Sequence, residues 1–288
     1  MMRVWVTGAD GMLGSALIQY GLRQKIDVVG TSRLEGDVAQ RGSLAAKGAQ
    51  IKPTHIVNCA AYTDVDGAEK EPERALAVNG EGAANVAWVA RECGARLIHI
   101  STDYVFNGNG AEPYREDDLC VPSNRYGQSK WEGEKRVVDT FPEACILRTS
   151  WLFGPKGKNF ISSLMHWFEQ KEELQVVYDQ RGRPTYCRDL AAAVFTLLDA
   201  RGIIHFANDG ERSRYQIALD LMEASRRHGI QFKCQRIVPV SSEKFPVPAV
   251  RPAYSVLDTQ KYFRLTNIKP RPWGEVLNDY LIHYASSS

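Results

Sequence analysis

Tyr126 and Lys130 stand four residues apart in Asn124-Arg125-Tyr126-Gly127-Gln128-Ser129-Lys130, and the chain runs on through Trp131-Glu132-Gly133-Glu134-Lys135. If this segment is helical, both side chains fall on one face, about one turn apart. A phenol beside a fixed ammonium is a tunable acid. Free tyrosine titrates near about 10, and a neighbouring positive charge favours the phenolate. A fall of about three units corresponds to about 4 kcal/mol and brings the phenol close to working pH. Such a pair can hand a proton to a carbonyl oxygen as hydride reaches the carbon. The same spacing also describes a rim tyrosine and a solvated lysine on an ordinary amphipathic helix. The elements around the pair have to decide.

Arg3-Val4-Trp5-Val6-Thr7 reads as a short buried strand. Gly8-Ala9-Asp10-Gly11-Met12-Leu13-Gly14 follows, and a helical pattern runs from Ser15 to Leu22. Strand, glycine turn and helix are the context of a dinucleotide fingerprint. The glycines permit a tight turn and a close approach to a pyrophosphate, and the helix start offers free N–H groups. The spacing is GxxGxxG, and a structural turn is the alternative. A second strand, Asp27 to Gly30, leads to Thr31-Ser32-Arg33. An NAD site usually has an acid here for the ribose 2′-hydroxyl, whereas an Arg accommodates a 2′-phosphate. Ser32 and Arg33 thus lean toward NADPH, with an exposed loop arginine as the other account.

His55 to Ala61 is another buried strand, and its small C-terminal residues leave room for a ligand at the sheet's carboxyl edge. A polar, acid-rich stretch separates Tyr62 from Asn79. Asn79 either caps the helix that continues at Val86 or bonds active-site backbone. Arg96 to Ile100 is a central strand ending in Ser101-Thr102-Asp103-Tyr104, which places hydroxyls over the crevice. His99 reads as a satisfied core histidine. The fold class is α/β, a Rossmann-type doubly wound parallel sheet.

At 288 residues the chain is long enough for two domains, or one elaborated α/β domain. Hydrophobic residues make up 44% and charged residues 24%, an ordinary globular balance. A net charge of +2 gives no electrostatic case for nucleic acid or an acidic membrane surface. The six cysteines are scattered without a CxxC. This suits a reduced cytoplasmic interior and argues against a disulfide framework or zinc site. The start of the chain lacks a charged leader with a long apolar run, so no signal peptide is expected, and no apolar run is long enough to span a bilayer.

By its motifs the chain resembles the extended short-chain dehydrogenase/reductases. The carriers are Thr7-Gly8-x-x-Gly11-x-x-Gly14, Asn58-Cys59-Ala60-Ala61, Ser101-Thr102-Asp103 and Tyr126-x-x-x-Lys130. Within them it is similar to the dTDP-4-dehydrorhamnose reductase family. Val65-Asp66-x-Ala68-Glu69, Arg148-Thr149-Ser150-Trp151, Asn159-Phe160, Asp179-Gln180-x-Gly182-x-Pro184-Thr185 and Arg251-Pro252 carry that narrower likeness. It spans nearly the whole chain in one order. It implies a catalytic triad of Thr102, Tyr126 and Lys130. Tyr126 would protonate the C4 oxygen of a keto sugar, Thr102 would hydrogen-bond it, and Lys130 would hold the nicotinamide ribose and keep the phenol's pKa down. The cofactor would lie on Gly8, Gly11, Met12, Leu13 and Gly14, beside Ser32, Arg33, Asp37 and Val38, and along Ala60, Ala61, Tyr62, Thr63 and Asn79. Tyr62 stands where the family often has histidine. The missing acid after the second strand, together with Arg33, favours NADPH, with NADH as the other cofactor the family uses.

The second half alternates less regularly. Ala144 to Trp151 reads as a strand, Gly154 to Lys158 as a break, Asn159 to Lys171 as an amphipathic helix and Gln175 to Tyr178 as a strand. Gly202 to Phe206 is a strand returning to the sheet. Beyond Ser213 come a helix, a strand near Arg236-Ile237-Val238, a proline-rich loop from Phe245 to Pro252 and a C-terminal helix after Pro272. The expected division is 1–154 plus about 186–212 for the nucleotide-binding domain, and about 155–185 plus 213–288 for a smaller, discontinuous substrate domain. A nucleotide sugar needs cations for its diphosphate and a flat surface for its sugar. Arg251, Lys158, Arg181 and Arg183 are the candidate cations, with Trp151 as the flat surface. Each is also, singly, a surface charge or core aromatic. Thr102, Asp103, Tyr104, Trp151, Asn159 and Arg251 form the candidate substrate set. No cluster has metal-ligand spacing. A homodimer is compatible with this reading. Two competing functions stand beside it: a reductase or epimerase of another nucleotide-activated deoxysugar, and a non-catalytic regulatory subunit resembling the methionine adenosyltransferase beta subunit.

Overall fold

The computed structural model describes residues 2–285. The first half supplies β1 (Arg3–Thr7), α1 (Met12–Arg23), β2 (Asp27–Thr31), α2 (Arg41–Ile51) and β3 (His55–Asn58). It goes on with the short helices α3 (Val65–Lys70) and α4 (Pro72–Leu76), then α5 (Gly82–Glu92), β4 (Arg96–Thr102), α6 (Arg125–Thr140) and β5 (Cys145–Thr149). The second half follows with β6 (Leu152–Phe153), α7 (Phe160–Gln170), β7 (Glu173–Val177), β8 (Arg181–Gly182), β9 (Thr185–Tyr186), α8 (Cys187–Thr196) and β10 (Gly202–His205). It ends with β11 (Arg212–Ser213), α9 (Arg214–Arg227), β12 (Arg236–Val240), α10 (Gln260–Thr266) and α11 (Trp273–Ala285).

Among the described residues one six-stranded sheet runs β10-β5-β4-β3-β1-β2, every pairing parallel. Alternation within its strands explains why helices cover both sides. Val4, Val6, Val57, Ile98 and Leu147 join Leu13 and Leu17 of α1 and Leu190 and Val194 of α8. Trp5, Ile56, Leu97 and Ile146 turn the other way, onto Leu44 of α2, Val86 and Val89 of α5 and Val137 of α6. From β1 the chain steps to β2 on one side and β3 on the other. The crevice at such a reversal, beyond the strands' carboxyl ends, is where open α/β sheets bind ligands. The register sets Thr7 against Asn58 and Thr102 against Thr149 along that edge.

The strand pairs β6–β9, β7–β12 and β8–β11 lie outside this sheet. Helices α7, α9 and α11 pack with them, and Phe153, Tyr186, Trp273 and Tyr280 extend the α1/α8 core into this region. Sequence patterning finds most of these elements with displaced ends. β3 stops at Asn58, before the small residues expected to continue it. The acid-rich stretch before Asn79 contains α3 and α4, each of six residues or fewer. Helix α10 has no counterpart in the sequence reading. These short segments carry too little periodicity to announce themselves.

Candidate active site

A cleft of about 1160 Å³ opens along the carboxyl edge of the sheet. At its floor, Gly8 has φ +66°, and a Cβ there would sit 2.7 Å from the Ala60 nitrogen. At Gly14 a Cβ would collide with the Gly8 carbonyl. Helix α1 then begins at Met12, behind Gly11, with no side chain capping its first turn. A bare helix start behind a turn kept free of side chains is a fit for the pyrophosphate of a dinucleotide. Gly8, Gly11, Met12, Leu13, Gly14, Ala60, Ala61, Tyr62 and Thr63 all line the cleft, as do Ser32, Arg33, Asp37 and Val38.

In the loop after β2, Glu35 accepts hydrogen bonds from both the backbone N–H and the hydroxyl of Ser32, at 2.8 Å each. Those bonds hold the Glu35 carboxyl below its ordinary range. Arg33 approaches Asp37 at 3.4 Å with its side chain 71% exposed. Asn79 does not reach the cleft. Its amide accepts from the Tyr62 N–H (2.8 Å) and donates to the Tyr62 carbonyl (3.0 Å) and the Ser129 hydroxyl (2.9 Å). It pins the cleft wall at Tyr62 to Ser129 of α6 and caps nothing.

Helix α6 is started by Asn124, whose side chain accepts from the Gly127 N–H and donates to the Val250 carbonyl, both at 2.8 Å. Tyr126 in its first turn is half-buried and opens on the cleft, with the Tyr104 ring edge-on at 5.6 Å. Burial raises its phenol above the usual value, opposed by the Thr102 hydroxyl beside it. The direction is opposite to the lowered phenol expected from a neighbouring lysine. The Lys130 ammonium is drawn instead to the Ile100 carbonyl on β4, at 2.6 Å. Burial brings it down to about 8, against the opposing charges of Glu134 and Cys59. Thr102 donates to Asp103 (3.1 Å) and accepts from the Tyr104 N–H (3.2 Å). Asp103 is buried, and desolvation raises its carboxyl to about 6. Behind these groups, His99 meets the Asn58 amide at 3.0 Å while its Nε2 has no partner among the described residues, so the expected satisfied histidine is only half satisfied.

The candidate substrate side is rearranged more. Asn159 is not on the cleft wall. Its carbonyl caps α7 at Ser162 (3.0 Å), and its amide donates to the carbonyls of Gly154 (2.9 Å) and Gly157 (3.3 Å). Arg251 lines the cleft but is paired with Asp66 (2.7 Å) and the Ala249 carbonyl (3.0 Å). Arg181 pairs with Glu211, and Arg183 faces a second cleft beside Asp209 and Thr259. Neither belongs to the main cleft; Lys158 does. Trp151 sits at φ +46°, packed on Gly182, with the Arg214 guanidinium 3.8 Å over its ring. Trp151 lines the cleft, with that ring face covered by the guanidinium. Sequence reasoning passed over Arg214, Phe160, Phe245 and Val247, which also line the cleft. The Ser213–Gln216 pattern announces a helix start, but nothing in it says where Arg214 points.

With the site described, its likeness to known proteins can be weighed. The chain is 40% identical over 288 residues to the spore coat polysaccharide biosynthesis protein SpsK of Bacillus subtilis, covering 100% of this chain and 99% of that one. It is 39% identical to a dTDP-4-dehydrorhamnose reductase of Mycobacterium tuberculosis, over 99% of this chain and 94% of the other. The crystal structure of dTDP-4-dehydrorhamnose reductase from Bacillus anthracis in complex with NADP superposes with a TM-score of 0.92 at 36% identity, over 98% and 100% of the two chains. The family model for the RmlD substrate binding domain matches residues 2–286, and the chain belongs to that family.

Proposed function

We propose that the chain catalyses the NADPH-dependent reduction of the C4 keto group of dTDP-4-dehydro-6-deoxy-L-mannose, giving dTDP-L-rhamnose. The observation that carries this reading is one cleft that brings Thr102, Tyr126 and Lys130 together with the glycine turn. Relatives that match from end to end and are named as this reductase support it.

NADPH, when bound, would supply the hydride. Gly8, Gly11, Met12, Leu13 and Gly14 would hold its pyrophosphate, and Ser32 and Arg33 its 2′-phosphate; Ala60, Ala61, Tyr62 and Thr63, with Asp37 and Val38, would hold the rest of it, and Asn79 keeps Tyr62 in place. Tyr126, kept protonated by burial, gives its proton to the C4 oxygen. Thr102 orients that oxygen, and Lys130 holds the ribose and supplies positive charge as the alkoxide forms. Tyr104 and Arg251 flank the substrate. Residues 1–154 plus about 186–212 act as the nucleotide-binding part, and about 155–185 plus 213–288 as the substrate part.

The test is to run the reaction with NADPH deuterated at the transferable position. Deuterium at sugar C4 of dTDP-L-rhamnose is the expected result. Cofactor binding with no label transfer to this sugar would contradict the assignment.

A further inference from the structure

Arg214 is a cation in the cleft that the mechanism above leaves unused. It opens helix α9 directly after the Ser213 cap, and its guanidinium lies 3.8 Å over Trp151 and 4.6 Å over Phe160. Among the described residues its side chain has no hydrogen bond and no ion pair. Burial disfavours its charge, Tyr104 and Asp103 favour it, and Arg251 opposes it. Arginine nevertheless stays charged in proteins.

Two features point to what it holds. First, stacking on two aromatic rings fixes the plane of the guanidinium and leaves its edge N–H groups free for bidentate contact. Second, Arg214 and Arg251 line the same cleft as Tyr104. Asp66 offsets only Arg251, through their 2.7 Å pair. Asp103 favours the charge of Arg214 from a distance but makes no ion pair with it; its one bonded oxygen accepts from Thr102. Two like charges gathered in a half-desolvated cleft are unfavourable until an anion joins them. Guanidinium groups match the geometry of phosphate oxygens.

We infer that Arg214 is the anchor for the diphosphate of the nucleotide-activated substrate, gripping it from the Trp151–Phe160 platform in the cleft that Arg251 also lines. This rests on the substrate class proposed above. It gives Trp151 a different task from the one its type suggests: the ring supports the cation and does not stack on the sugar.

The experiment measures binding of dTDP, UDP, thymidine and NADPH to the full chain, as wild type, Arg214→Met and Arg214→Lys. Loss of a bidentate, charge-assisted contact should weaken dTDP binding about tenfold to a hundredfold in Arg214→Met. Thymidine and NADPH should bind as before, and Arg214→Lys should fall between the two. In turnover, the KM for the nucleotide sugar should rise by a similar factor, with kcat changed by less than about threefold. Undiminished dTDP binding in Arg214→Met would overturn the inference. So would equal losses for dTDP and thymidine, because the residue would then be supporting the pocket and not the phosphates. If the wild type prefers UDP with the same dependence on Arg214, the anchor stands and the thymidine assignment falls. If the wild type binds neither nucleotide diphosphate, both fall.

Discussion

Lys130 shares a helix face with Tyr126, but a shared face does not fix where an ammonium ends. The four-residue spacing correctly brings the pair to one cleft. The spacing is silent about the Ile100 carbonyl, which accepts from Nζ at 2.6 Å. The consequence lies in the pH profile. Burial lowers Lys130 to about 8, so its ammonium is lost as pH rises through that value, well before an ordinary lysine would titrate. Because kcat/KM reports groups in the free enzyme, it should fall above about pH 8. A profile flat to about pH 10, the ordinary lysine range, would show that the charge on Lys130 is not needed. Asn159 and Arg251 teach the same lesson. Their types suggested ligand contact; Asn159 instead caps a helix away from the cleft, and Arg251 reaches the cleft while latched to an acid 185 residues away in sequence. Such partners are invisible until the chain is folded.

Helix α6 carries Tyr126 and Lys130 at a fixed height because its next turn is bolted to the sheet. Glu134 takes a bidentate grip from Arg148 on β5, at 2.9 and 2.7 Å, with both side chains buried. Removing either partner leaves an uncompensated buried charge. Glu134→Leu or Arg148→Met alone should therefore cost about 3–5 kcal/mol of stability, while the double variant should recover most of the loss. Urea unfolding of the four proteins checks this, and additive losses in the double variant would contradict it. The helix was legible only as a segment able to be helical, and its Asn124 start appears in the fold. The bolt was not legible, because Glu134 reads as one more charge on a polar helix. The glycine turn behind β1 and the strand-helix alternation were legible for a different reason: their signals are local.

At the scale of the whole molecule, the α/β class and the parallel sheet follow from apolar strands separated by helical spans, and β10 returns to the sheet beside β5 as its pattern suggests. The pairs β6–β9 and β8–β11 are two residues long per strand, below what pattern reading resolves. Two buried histidines give the fold a pH signature. Desolvation holds His99 well below its ordinary value and His205 down to about 3, so both stay neutral when folded and take up protons on unfolding. Their contribution is present above about pH 6.5 and is lost as pH falls. Asp103, raised to about 6, works in the opposite sense and returns part of the loss. The balance is a drop of about 1 kcal/mol between pH 7 and pH 6. Denaturant midpoints at the two pH values measure it, and equal or greater stability at pH 6 would contradict the two neutral histidines.

The central claim is that Tyr126 delivers a proton to a keto sugar within this cleft. The most direct measurement is NADPH oxidation with dTDP-4-dehydro-6-deoxy-L-mannose by the wild type and Tyr126→Phe, alongside NADPH affinity for each. The account predicts wild-type turnover, unchanged cofactor affinity in the variant, and a kcat lower by about 10²–10⁴-fold, the range of a lost general acid. Tyr126→Phe turning over at the wild-type rate, or a wild type that binds NADPH but leaves this sugar untouched, would contradict it.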